Sequence, residues 1–151
     1  MSTDQIEREV TIEAPPERVW ALLTEAEHLG TWFGDSGAEI DLQPGGAIAL
    51  HWAEHGTVHG RVERVEPPRF FSFRWAPFKE PGGAEPRDGN STLVEFSLIP
   101  DGDRTRVRVV ESGFDELDMS EDQRRAQREG NRKGWEIELG HLADRAAKLS
   151  V

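Results

Sequence analysis

One carboxylate interrupts an apolar alternation late in the chain. Val107, Val109 and Glu111 recur at the two-residue period of a strand, which sends Glu111 to the same inward face as the valines. Burial there raises a carboxyl pKa unless a cation or a hydrogen-bond donor compensates. Arg8, of inward parity in an N-terminal strand, and Arg128 and Asn131, in a long helical segment, are the candidate partners. Three roles compete in falling order: structural ion pair or hydrogen bond, polar anchor for a ligand, and general acid or base. No inner-face histidine or second carboxylate is placed beside Glu111, so no catalytic residue is assigned.

An aromatic set shares that interior. Trp32, Phe33, Trp52, Phe73, Trp75, Phe96 and Trp135 fall on faces that the alternation turns inward, with Leu139 one helical turn beyond Trp135. Core packing is the leading reading of the class. Buried indoles need acceptors for their N–H groups, however, and so many rings between a sheet and one helix are hard to close-pack. Trp32, Trp75 and Trp135 are the preferred cavity-lining candidates. His51 and His59 form the one histidine pair that can be placed together, on the outer face. No spacing matches a zinc pattern, so they read as solvated and neither a metal nor a cofactor is assigned.

These residues need a sheet and a helix to position them. Ile6, Arg8, Val10 and Ile12 alternate with polar residues up to Ala14-Pro15-Pro16, predicting a first strand. Pro16 suits the first position of a helix carrying Val19, Trp20 and Leu23, and Thr24 with Glu27 reads as a capping box opening a second short helix. Strands follow at Ala38-Ile40-Leu42 and Ile48-Leu50-Trp52. The next hairpin is predicted with Trp52 opposite Val58 and a loop at Glu54-His55-Gly56, which pairs His51 with His59. Phe71-Phe73-Trp75, Val94-Phe96-Leu98 and Val107-Val109-Glu111 complete the sheet. The Pro/Gly-rich segment from Ala76 to Asn90 reads as a mobile flap or, preferably, an unstructured excursion. From Ser120, capped with Gln123, to Leu149 a helix carries Trp135, Leu139, Leu142, Ala146 and Leu149 along one face, while Arg124, Arg128 and Asn131 continue that face toward its start. Gly130 and Gly134 weaken this helix by about 1 kcal/mol each relative to alanine. Helix bending, close approach of backbone or ligand, and local packing are the alternatives, with local packing favoured.

Bulk properties bound the function. The 151 residues fit one domain, 1–151, with a core over about 6–149. Eighteen basic against 29 acidic residues give a net charge of −11, which argues against nucleic acid and anionic membrane surfaces as partners. No run is apolar enough for membrane insertion. Zero cysteines exclude disulfides and thiolate sites, and the N-terminus lacks signal-peptide character, so a cytoplasmic location is expected.

The words Ala14-Pro15-Pro16-Glu17-Arg18-Val19-Trp20, Leu23-Thr24, Trp32-Phe33-Gly34, Ser91-Thr92-Leu93-Val94-Glu95-Phe96, Glu111-Ser112-Gly113-Phe114 and Gly134-Trp135, in this order, resemble the Activator of Hsp90 ATPase homologue 1-like (AHSA1-like) family of the START/Bet v 1-like SRPBCC superfamily. The resemblance implies an α+β helix-grip fold: a curved antiparallel sheet wrapped around a long C-terminal helix, two short helices after the first strand, and a hydrophobic cavity between. It also places the first strand beside the last, bringing Arg8 near Glu111. The function expected is binding of a small, mainly hydrophobic molecule in that cavity. An aromatase/cyclase-like enzyme and a co-chaperone-like interaction module are the alternatives, and a homodimer and a chaperone partner stay open.

Overall fold

A computed structural model describes residues 5–54, 56–76 and 85–149, the last without its side chain. His55, residues 77–84 of the Pro/Gly-rich segment and the side chain of Leu149 lie outside the described residues. The chain begins with strand β1 (Ile6–Ile12), helix α1 (Pro16–Thr24) and helix α2 (Ala26–Leu29). A meander follows: β2 (Ala38–Ile40), β3 (Ala47–Trp52), β4 (Gly56–Glu66), β5 (Phe70–Trp75), β6 (Thr92–Asp101) and β7 (Arg104–Ser112). A single 3-10 turn at Phe114–Glu116 leads to helix α3 (Glu121–Leu149).

All seven strands pair antiparallel in the order β1-β7-β6-β5-β4-β3-β2, so the first strand returns beside the last. The join is marked on both faces. Inward, Ile6, Ile12, Val107 and Val109 are buried. Outward, Glu7 meets Arg108 at 2.7 Å, Glu9 meets Arg106 at 3.4 Å and Glu13 meets Arg104 at 3.7 Å. Opposite charges across neighbouring strands support this register by a few tenths of a kcal/mol each.

Helix α3 lies across the inner face. Trp135, Leu139, Leu142 and Ala146 are buried in one core with Phe71, Phe73, Phe96 and the α1 residues Val19, Leu22 and Leu23. The first half of the helix contributes nothing to that core: from Glu121 to Asn131 every residue is exposed or half-buried. Its start is fixed by the expected capping box, in which the Gln123 N–H donates to Ser120 Oγ at 3.1 Å and the Ser120 N–H donates to Gln123 Oε1 at 2.9 Å. A helix packed at one end and lifted at the other, gripped by a curved sheet, is the helix-grip arrangement.

Three local expectations are corrected. The β3–β4 hairpin pairs Trp52 with Gly56 and Leu50 with Val58, one residue pair away from the expected register. Faces survive because a two-residue slip preserves the pleat. His51 therefore pairs with Thr57, and His59 lies opposite Ala49. Thr24 does not cap α2. It closes α1, and its hydroxyl donates to the Trp20 carbonyl one turn back at 2.7 Å, a competing bond open to any helical threonine. The described end of the Pro/Gly-rich segment is tied down: Asn90 Oδ1 accepts from the Arg87 N–H at 2.7 Å, and the Asp118 N–H donates to the Gly89 carbonyl at 2.7 Å.

Candidate functional site

Glu111 is fully buried at 0 % exposure, and elements from both layers converge on it. Register places Trp75 of β5 opposite Thr92 of β6, and Glu111 of β7 opposite Val94, two residues further along β6 and on the same inner face. The Trp75 indole N–H donates to Glu111 Oε2 at 2.9 Å and the Thr92 hydroxyl to the same oxygen at 2.5 Å. From α3, the Trp135 indole donates to Oε1 at 2.8 Å. The Asn131 amide spans both oxygens, 3.2 Å from Oε1 and 3.0 Å from Oε2, while its own carbonyl accepts from Gln127 at 2.9 Å. Burial pushes the Glu111 carboxyl up, and hydrogen bonds from Thr92, Trp75, Trp135 and Asn131 pull back.

Only some of the expected partners take part. Asn131 does; Arg8 and Arg128 do not. Arg8 does face the helix, but it pairs with Glu136 of α3 at 3.2 Å, near the solvent edge. It stands opposite Val109, one residue pair along from Glu111, which faces Ile6. Arg128 sits a turn before Asn131 beside Phe114 and Glu121, in a surface cleft away from the carboxylate. Two indoles, a hydroxyl and an amide thus hold a buried carboxyl for which the sequence suggested an arginine.

A cavity of about 150 Å³ adjoins this cage. Its aromatic walls are Phe33, Trp52, Trp75 and Trp135, with ring centroids 5.3 Å apart for Phe33 and Trp135 and 5.7 Å for Trp75 and Trp135. Gly130, Asn131, Gly134 and Glu138 of α3 complete the lining. Of the aromatic residues expected inside, Trp32, Phe73 and Phe96 are in the packed core and do not reach the cavity, and neither does Leu139. The indole of Trp32 finds its acceptor locally, the Leu22 carbonyl at 2.7 Å. Gly60 makes room for the Trp75 wall: a Cβ there would stand 2.6 Å from the Arg74 carbonyl oxygen and 3.3 Å from Trp75 Cβ.

Glu138 is the residue that sequence reasoning missed. Its side chain is 14 % exposed, and Oε2 accepts from the Gly34 N–H at 3.2 Å. Burial pushes its pKa up to about 6, opposed by that hydrogen bond and by His141, and reinforced by the negative charge of Asp35. Gly34 has φ of +89°, and a Cβ there would come within 2.8 Å of the His51 carbonyl oxygen, so glycine is required to present this N–H. The available signal was the four-residue step Gly130, Gly134, Glu138, a row parallel to Asn131 and Trp135.

The histidine pair is not assembled. His51 Nε2 lies 2.9 Å from Glu39 and Nδ1 2.7 Å from Thr57, each an outer-face contact. Among the described residues, one group of three metal-ligating side chains comes together, Glu25, Glu27 and His28, at the surface around the start of α2. Among the same residues, no helix is long and apolar enough to cross a membrane.

A curved sheet gripping a C-terminal helix over an aromatic cavity defines the START/Bet v 1-like class. The chain belongs to the family of Activator of Hsp90 ATPase homolog 1-like proteins, whose model matches residues 13–147. No curated protein is significantly similar in sequence. Among solved structures, protein MLL2253 from Mesorhizobium loti is 24 % identical, with a TM-score of 0.76 over 95 % of this chain and 97 % of its own. CalU16 from Micromonospora echinospora is 25 % identical, with a TM-score of 0.70 over 94 % and 75 %. The Aha1 dimer from Colwellia psychrerythraea is 21 % identical, with a TM-score of 0.70 over 93 % of each chain.

Proposed function

We propose that this protein binds a small, mainly apolar molecule in the cavity between β5 and α3, with Trp52, Trp75, Trp135 and Phe33 as its walls. The observation that carries the reading is the pair Gly130 and Gly134. Each weakens the helix, yet a Cβ built on either meets nothing within 4 Å, so close packing of the protein does not demand them. Both border the cavity, so a side chain at either position would stand at its wall. About 150 Å³ is enough for one ring-sized group and below the range of pockets that enclose a drug-sized ligand. A wider surface cleft of about 580 Å³ meets the cavity at Gly130 and would carry any remaining part of a longer ligand.

Glu111 stands behind the wall and holds it in place. Its oxygens are occupied by donors that themselves line the cavity, which argues against a proton-handling role in an aromatase/cyclase-like reaction. The test is an NMR titration with benzene, read at the indole N–H signals of Trp75 and Trp135. Saturable shifts are expected, lost in Gly134→Leu, whose side chain fills the space. Shifts that persist unchanged in that variant would refute the cavity as the binding site. The likeness to the Aha1 dimer of Colwellia supports a homodimer as the assembly, which light scattering on the eluting protein would establish as twice the chain mass.

A further inference from the structure

We infer that the ligand group received by the cavity is a small organic cation, an alkylated ammonium, rather than a neutral or anionic group. The inference rests on the cavity reading above and narrows its ligand class. Three observations carry it. First, the donors of the Glu111 cage are used up: the N–H groups of Trp75 and Trp135 and the amide N–H₂ of Asn131 are all committed to the carboxylate. What these two indoles offer a ligand is therefore carbon surface and π-electrons, with nothing from them to bind a carboxylate or phosphate.

Second, charge at the lining has one sign. Among the described residues Glu138 is the charged group in the wall and no lysine or arginine joins it, and the Glu111 carboxyl stands directly behind Trp75 and Trp135. Around them the chain carries a net charge of −11, which raises the local concentration of cations and lowers that of anions. Third, the aromatic rings that border the space pack on one another at several inclinations: Phe33 meets Trp52 at 84° and Trp75 at 54°, and Trp75 meets Trp135 at 34°. Differently inclined aromatic rings with a carboxylate at one end are the surroundings that favour alkylated ammonium groups, whose methyl surface matches the rings and whose charge matches the carboxylate. A compact trimethylammonium head also suits a ring-sized space.

The probes are choline and its neutral carbon isostere 3,3-dimethyl-1-butanol, titrated separately and followed at the Trp75 and Trp135 indole N–H signals. Choline is expected to bind at least about tenfold more tightly than the isostere. Glu138→Gln, which can still accept from the Gly34 N–H, is expected to remove most of that preference, read as the ratio of the two affinities in the same variant. Equal or tighter binding of the isostere would overturn the cation assignment, as would an unaltered preference in Glu138→Gln. So would failure of both probes to shift the signals. Benzene shifts that disappear in Gly134→Leu would keep the cavity reading intact under all three of those results, whereas loss of the cavity reading shows in the benzene titration alone.

Discussion

At Glu111 the donors decide which substitution the fold tolerates. Gln is isosteric with Glu, but its amide would turn N–H groups toward Trp75, Thr92 or Trp135, all of which donate to this site. Trp75 keeps the Thr92 hydroxyl as an acceptor at 3.1 Å, so the buried donor left without one is the Thr92 hydroxyl or the Trp135 indole, according to which oxygen is replaced, at about 1–3 kcal/mol. Glu111→Gln is accordingly expected to lower the melting temperature by about 4–8 °C in calorimetry, taking about 2 kcal/mol for a chain of this size. An unchanged midpoint would mean that the cage is not a stabilising unit. Glu138 behaves oppositely. Its folded-state pKa of about 6 lies above the ordinary 4.5, so between these values the native state holds more protons than the unfolded chain and stability falls as pH rises. Discounted for partial solvent screening, the cost at neutral pH is about 1 kcal/mol. Glu138→Gln should be more stable than the native sequence at pH 7.5 by about that amount, with the difference closing as pH falls to 4.5. Denaturant melts at both pH values check this, and a variant less stable at pH 7.5 would show that the carboxylate is instead a net stabiliser.

Along the elements, strand parity was fully readable and strand register was not. Val107, Val109 and Glu111 face inward as their alternation demands. The β3–β4 hairpin slipped by one pair because period-two patterning gives the same faces in both registers, and only the turn around Gly56 separates them. The capping box at Ser120 and Gln123 and the proline at the start of α1 could be read because their chemistry is local. Of the Glu111 partners Asn131 could be read and the indoles could not, since indole and arginine are equivalent donors until the helix position over the sheet is fixed. Helix α3 also carries the clearest trade between stability and binding. Gly134→Ala adds a methyl to open space and removes a helix-weakening residue, so it should raise stability by about 1 kcal/mol while weakening benzene binding. Thermal melts and the titration together test it, and a gain in stability with undiminished binding would separate the glycine from the cavity.

For the whole molecule, charge is the dominant trait. The three Glu–Arg pairs along the join of the first and last strands contribute about 0.2–1 kcal/mol each, whereas a net charge of −11 repels itself across the entire surface. Added salt screens both. Repulsion should dominate, so the melting temperature is expected to rise as sodium chloride goes from 10 to 300 mM, about a fivefold shortening of the screening length. A fall would mean that the surface pairs outweigh the net charge.

The Glu111 cage also fixes the order of events while the chain is being made. Glu111 precedes its donor Trp135 by 24 residues and its donor Asn131 by 20. Until the helix packs, the carboxyl has only its sheet donors, Trp75 and Thr92 on Oε2, and Oε1 waits for Trp135 and Asn131. Released chains truncated before residue 131 are expected to be cut readily by protease across β5–β7, and the 151-residue chain to resist. Closure of this fold thus waits for its last helix, and the group left half-served until then is the one that afterwards holds sheet and helix together.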